Sequence, residues 1–199
     1  MRKIFLLIFI PLNTFLFSQV DQNNGFSTIP AININELLKK INPSENYTDW
    51  AFVHYDFKSN KIIFKRGIKK LSPTRSENDY YGFFPCVPDG CYSYFYAVNR
   101  NNKPEYITDT NQVIKFFGKI DCMEESLFIA MLNNYSVDED YEKRNIYKEF
   151  KDEFILYLSK TSYSPYKKEA FIITVKKSGE FSAKSDGVYM YDKNVHIDI

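Results

Sequence analysis

TDTNQVIKFFGKIDCMEESLFIAMLNNY, residues 108–135, decides the fold class. Asp109 stands three residues before Gln112, the spacing at which a side chain caps a helix start and the later residue returns the favour. Gly118 supplies the left-handed stop that ends such a helix. Asp121 stands three before Glu124 and repeats the signal. Met123, Leu127, Ala130 and Met131 then recur on one side, and Asn133-Asn134 offers an exit. Two short capped helices in tandem are expected at the centre of the chain.

Outward from that centre, the pattern changes to strands. WAFVHYDF (50–57) and KIIFKR (61–66) read as a hairpin joined by Lys58-Ser59-Asn60. CYSYFYAVN (91–99) and PEYIT (104–108) make a second one across Arg100-Asn101-Asn102. Beyond the helices, NIYKEF, EFILYLS and EAFIITVKK form a meander that FSAK and VYMY continue. Upstream, NINELLKKINP (33–43) puts Ile34, Leu37, Leu38 and Ile41 on one helical face. Asn33 and Glu36 have capping spacing, and Pro43 stops the run. The chain holds 16 Tyr and 18 Phe, residue types that favour strands and bury much area each. The expected architecture is α+β: one antiparallel sheet with two or three helices packed on it. It forms a single domain over residues 32–199, after a polar, Asn-rich, flexible lead-in at 19–31.

The opening MRKIFLLIFIPLNTFLFSQV has a basic start at Arg2-Lys3 and a mostly apolar stretch from Ile4 to Phe17. Pro11, Asn13 and Thr14 interrupt it, and it is short for a bilayer core of roughly 30 Å. This is the layout of a signal peptide over residues 1–18, cut after Ser18, with a retained anchor as the alternative. No cysteine follows the run to carry a lipid. The mature chain is expected to be secreted or periplasmic, without a transmembrane segment. Its formal charge falls from +1 to −1 on cleavage. That balance gives no basic face for nucleic acid.

Export bears on the three cysteines, because an oxidising compartment favours disulfides. Cys86 and Cys91 flank Val87-Pro88-Asp89-Gly90, where Pro and Gly favour a turn that returns the chain on itself. A Cys86–Cys91 clip shaping the loop is expected, worth about 2 kcal/mol for so small a ring. Zinc is the weaker alternative, since two thiols with no histidine close in sequence make half a site. The CxxxxC spacing also departs from the CxxC of thioredoxin-like redox centres. Cys122 falls in the first turn of a helix, where the dipole favours a thiolate. The competing reading is a small buried residue, and a bridge to either loop cysteine stays open.

Signals for chemistry are few. His54 shares a strand face with Trp50 and Phe52 and is read as a hydrogen-bonded sheet histidine, while His196 lies near the C-terminus. A Cys122–His54 nucleophile pair can be written, but nothing in the sequence joins the two. GxSxG, HExxH, Walker and Rossmann signatures are absent. Asp138, Asp140, Glu142 and Glu149 fall at calcium-loop positions, yet Lys143 stands where glycine belongs. A solvated acidic turn is the reading, and no metal or cofactor is expected. Residues 67–90 form a long stretch with little periodicity, which in compact domains is often functional. It carries Tyr80, Tyr81, Phe83 and Phe84. These residues read either as a lid over the sheet or as a contact patch for a protein, peptide or glycan partner.

The segment FFGKIDCMEESLFIAMLNNYSVD, Phe116 to Asp138, resembles a pattern in small exported proteins of Bacteroidetes type. There, a short helix ends in a Phe-x-Gly-x-Ile-Asp step and an "EEAL..A" helix follows, with a Gly-Tyr exit. Here Ser126 stands for the usual Ala and Asn134 for the usual Gly. Looser likeness runs to about Glu180. The resemblance implies an exported α+β domain. That group has no established activity, so no functional residue carries over. A fainter likeness is to PepSY-like domains, small helix-plus-sheet modules linked to peptidase inhibition or envelope binding. Non-catalytic binding outside the cytoplasm is the expected function. The alternatives are a thiol-dependent enzyme using Cys122 and a structural or toxin-neutralising envelope protein.

Overall fold

The computed structural model describes residues 25–31, 33–56, 58–74, 82–86, 90–138, 145–193 and 195. The proposed leader at 1–18, Tyr80, Tyr81 and His196 lie outside them. Sequence-local signals form as their chemistry dictates. Helix α1 (Ile34–Lys40) starts at Asn33, whose side chain accepts from the Glu36 amide at 3.0 Å, and it buries Leu37 and Leu38. Strands β2 (Tyr47–Tyr55) and β3 (Asn60–Arg66) form the first hairpin. Its turn is held by Asp56, which accepts from the Lys58 and Ser59 amides. Strands β4 (Tyr92–Asn99) and β5 (Pro104–Ile107) form the second. Helix α2 (Thr110–Phe117) is capped at both ends as expected. Asp109 accepts from the Gln112 amide at 2.9 Å, Gln112 returns to the Thr108 amide at 2.7 Å, and Gly118 closes the helix at φ 75°. Asp109→Ala removes one exposed cap and should cost about 1 kcal/mol in a urea melt. An unchanged midpoint would show that water serves the amide equally well.

The strands do not form one sheet. Four of them pair in the order β3-β2-β4-β5. The C-terminal meander builds a second antiparallel sheet from β6 (Ile146–Glu149), β7 (Glu153–Tyr163), β8 (Tyr166–Lys176) and β9 (Phe181–Asp192). A two-residue strand β1 (Ser27–Thr28) pairs with β6 at its edge, giving β1-β6-β7-β8-β9. The lead-in is therefore built into the fold at its end: Phe26 packs edge-on against Tyr157, and Ile29 is buried. FSAK and VYMY merge into the single strand β9, which passes through Gly187 at φ 102° with pairing irregularities opposite. Among the described residues no helix is long and apolar enough to cross a membrane.

The reason for two sheets is helix α3 (Met123–Leu132), which lies between them. Met123, Glu125, Ser126, Leu127, Phe128, Ile129 and Ala130 are all buried and Glu124, Met131 and Leu132 are half-buried, so the helix has no fully exposed face. A helix apolar all round must be enclosed rather than laid on a surface, and a single sheet cannot enclose it. Phe128 meets Phe52 and Phe95 of the four-stranded sheet, while Phe154, Leu156, Leu158, Ile173 and Val175 close the same core from the five-stranded one. The expected one-sided stripe of Met123, Leu127, Ala130 and Met131 describes only part of this contact. The cap also shifts by one residue. Cys122 is the N-cap, and the acid that serves the helix start is Glu125, not Glu124.

The far face of the four-stranded sheet holds a second cluster of Ala51, Val53, Tyr55, Tyr92, Tyr94 and Val98, covered by Leu71. Asp138, the first residue of the acidic turn, is not solvated. Its carboxylate lies 3.0 Å from Lys168 Nζ and accepts the Tyr189 hydroxyl at 2.5 Å. Burial and that carboxylate push the Tyr189 hydroxyl up to about 12. Glu149 is engaged separately by Lys177 at 2.6 Å. A buried carboxylate matched to a lysine holds the chain in place and does not present a calcium ligand. Asp140 and Glu142 lie outside the described residues.

Candidate functional site

The aromatic loop reaches its place by pairing with β4 on the edge that β5 occupies, beyond the end of β5. The Phe83 amide donates to the Ser93 carbonyl at 2.6 Å, and the Ser93 amide returns to Phe83 at 2.7 Å. Three residues on, the Cys86 amide donates to the Cys91 carbonyl at 2.9 Å. Gly82 permits this approach, since a Cβ there would sit 2.5 Å from the Ser93 carbonyl oxygen and the Tyr92 ring. Cys86 and Cys91 are joined as a disulfide across this small hairpin, with Cα atoms 5.0 Å apart. The clip expected from the turn residues is present.

The pairing divides the two phenylalanines. Phe83 is buried, with its ring against Phe95 and Phe128. Phe84 takes a left-handed backbone at φ 52°, uncommon for a bulky residue. It stays half-buried, with its ring edge-on to Phe128 at 5.8 Å. Phe83 is thus part of the core, while Phe84 packs against the core and stays partly exposed. It helps to line a cleft of about 230 Å3. Met131 and Leu132, at the end of α3, give the cleft apolar lining, and Thr108 and Asp109, before α2, give it polar groups. Sequence reasoning placed Asp109 and Met131 on helices but had no means of bringing the two helix ends to the aromatic loop.

His54 is a hydrogen-bonded sheet histidine, with Nδ1 3.2 Å from Ser93 Oγ. The register that pairs His54 with Ser93 also brings its ring to the clip. One ligand atom each from His54, Cys86 and Cys91 lie within 4.8 Å of one another. The histidine missing from the sequence near the CxxxxC pair is therefore supplied by the neighbouring strand. The usable signal was the period of two that puts Cys91 and Ser93 on one face.

Cys122 is unpaired, half-buried, and 3.8 Å from the Lys40 carbonyl oxygen. Burial pushes its thiol up to about 12, against the pull of the Glu124 and Glu125 amides and with a push from the Glu125 and Glu124 charges. The dipole-activated thiolate expected at a helix start is outweighed by desolvation. No known family model, curated protein or solved structure matches this chain.

Proposed function

We propose that this chain is an exported, non-catalytic binding protein whose contact site is the cleft beside Phe84. The observation that carries the reading is a large apolar ring, held in an uncommon backbone conformation, that helps to line a cleft of mixed polar and apolar character. Such strain concentrates at ligand-contacting positions. A cleft of about 230 Å3 suits one inserted side chain rather than a cofactor. The favoured partner is a protein or peptide presenting an apolar anchor, with Thr108 and Asp109 forming part of the polar side of the cleft. The disulfide is consistent with an oxidising compartment, as is the likeness of residues 116–138 to exported proteins. A raised Cys122 thiol weighs against the enzyme alternative.

The test selects displayed peptides on the oxidised wild-type protein and re-measures them on Phe84→Ala. Loss of the Phe84 contact is expected to weaken the selected peptides about tenfold, or 1.4 kcal/mol. Phe84→Leu should restore part of the affinity. Failure to enrich any peptide, or equal binding by Phe84→Ala, would end the cleft reading.

A further inference from the structure

We infer that His54, Cys86 and Cys91 form a redox-gated site for a thiophilic divalent cation of the zinc type, closed in the disulfide form and opened by reduction. The inference does not depend on the cleft beside Phe84. Three ligand atoms within 4.8 Å of one another, two sulfurs and one imidazole nitrogen, are the donor set of a three-ligand zinc site with a fourth position left for water. A tetrahedral site with Zn–S bonds of roughly 2.3 Å needs its sulfurs about 3.8 Å apart. Cα atoms 5.0 Å apart permit that separation by side-chain rotation alone. The backbone is fixed independently of the S–S bond, since the Cys86 amide donates to the Cys91 carbonyl and the Gly90 amide to the Cys86 carbonyl. Reduction therefore leaves the two thiols facing each other and facing His54. With Nε2 as the ligand nitrogen, Ser93 Oγ on Nδ1 would orient the ring, as outer partners of ligating histidines do.

The gate is chemical. A disulfide sulfur has no thiolate to offer, so the oxidised clip cannot hold the ion. A dithiol reductant attacks the sulfur of Cys86, an exposed residue, through a mixed disulfide. Its second thiol then resolves that bond, leaving two cysteine thiols here and one disulfide on the reductant, with two electrons and two protons transferred. The cation next binds as both thiols release their protons, with a ring nitrogen of His54 donating a lone pair. The short loop between the cysteines favours this opening, because a small ring gains little from closure.

The test uses the full mature chain carrying Cys122→Ser, which removes the third thiol. After reduction with a phosphine and removal of the reagent without air, zinc is titrated against a chromophoric chelator. One ion per reduced chain is expected, with none on the oxidised chain. His54→Ala should weaken binding at least about 100-fold, the upper end of what loss of a merely supporting group costs. Cobalt in place of zinc should give thiolate charge-transfer bands with tetrahedral ligand-field bands. The ring resonances of His54 should shift with zinc in the wild type. That readout does not rely on the fold of any His54 variant, and His196→Ala assigns it. Absence of a one-to-one complex, equal affinity in the oxidised chain, or unmoved His54 resonances would overturn the site.

Discussion

Phe128→Ala is expected to remove about 3–5 kcal/mol from the stability of the fold, read as a fall in the urea midpoint at unchanged slope. Phe128 is fully buried at the middle of α3. Its ring packs on Phe52 at 6.1 Å, Phe83 at 6.1 Å, Phe84 at 5.8 Å, Phe95 at 5.3 Å and Phe117 at 6.1 Å. These partners come from β2, β4, α2 and the aromatic loop. The cavity left by truncation would border each of them, and none can cross the gap without leaving its own contacts. A domain holds only some 5–15 kcal/mol in total, so this one ring carries a large share of what holds α3 to the four-stranded sheet. Phe128→Leu keeps most of the volume and should lose less than half as much. Equal losses from the two variants would mean that aromatic contacts, not volume, carry the effect. A loss under roughly 1 kcal/mol from the alanine variant would mean that the surrounding rings collapse inward.

The same residue shows what the sequence could and could not express. Asn33 with Glu36, Asp109 with Gln112, and Asp56 with Ser59 act within four residues, so spacing alone revealed the two helix starts, and the hairpin that Asp56 steadies was legible too. Phe128 did not fit the stripe because α3 is enclosed on all sides, and periodicity marks only helices with a wet face. Whether the meander adds to the hairpins or forms its own sheet depends on what α3 needs around it. That is a volume question that strand patterns do not encode. The site divides the same way. The Cys86–Cys91 clip follows from its turn residues. His54 joins it only through a register that pairs it with Ser93, 39 residues on in sequence. The cleft joins a loop to two helix ends, and no local pattern links Phe84 to Leu132.

Glu125→Ala is expected to cost about 3–6 kcal/mol, because two part-buried amides lose hydrogen bonds to a charged group, worth about 1.5–3 kcal/mol each. Glu125 is fully buried, the third residue of α3. Its Oε1 accepts from the Asn42 amide at 2.9 Å and its Oε2 from the Asp121 amide at 2.8 Å. One carboxylate thus ties the exit of α1 to the entry of α3, across 83 residues of sequence. Burial raises its pKa above the ordinary 4.5, the Asn42 and Asp121 amides oppose that, and the Asp121 charge adds to it. A carboxyl raised in the folded state binds more protons there than when unfolded. Stability from this group is therefore greatest in acid and falls as pH rises from about 4.5 through the folded value. Glu125→Gln cannot titrate and keeps one acceptor, so one amide faces an NH2 group, at a cost of about 1–3 kcal/mol. Urea melts of wild type and Glu125→Gln at roughly pH 4.5 and 7.5 separate the two effects, since every other carboxylate cancels in the difference. The gap between them should be wider at the lower pH. A gap that narrows at the lower pH would mean that the carboxylate stays charged in the folded state, held by its amides and the start of α3 against its burial, and an unchanged gap would mean that folding does not shift it.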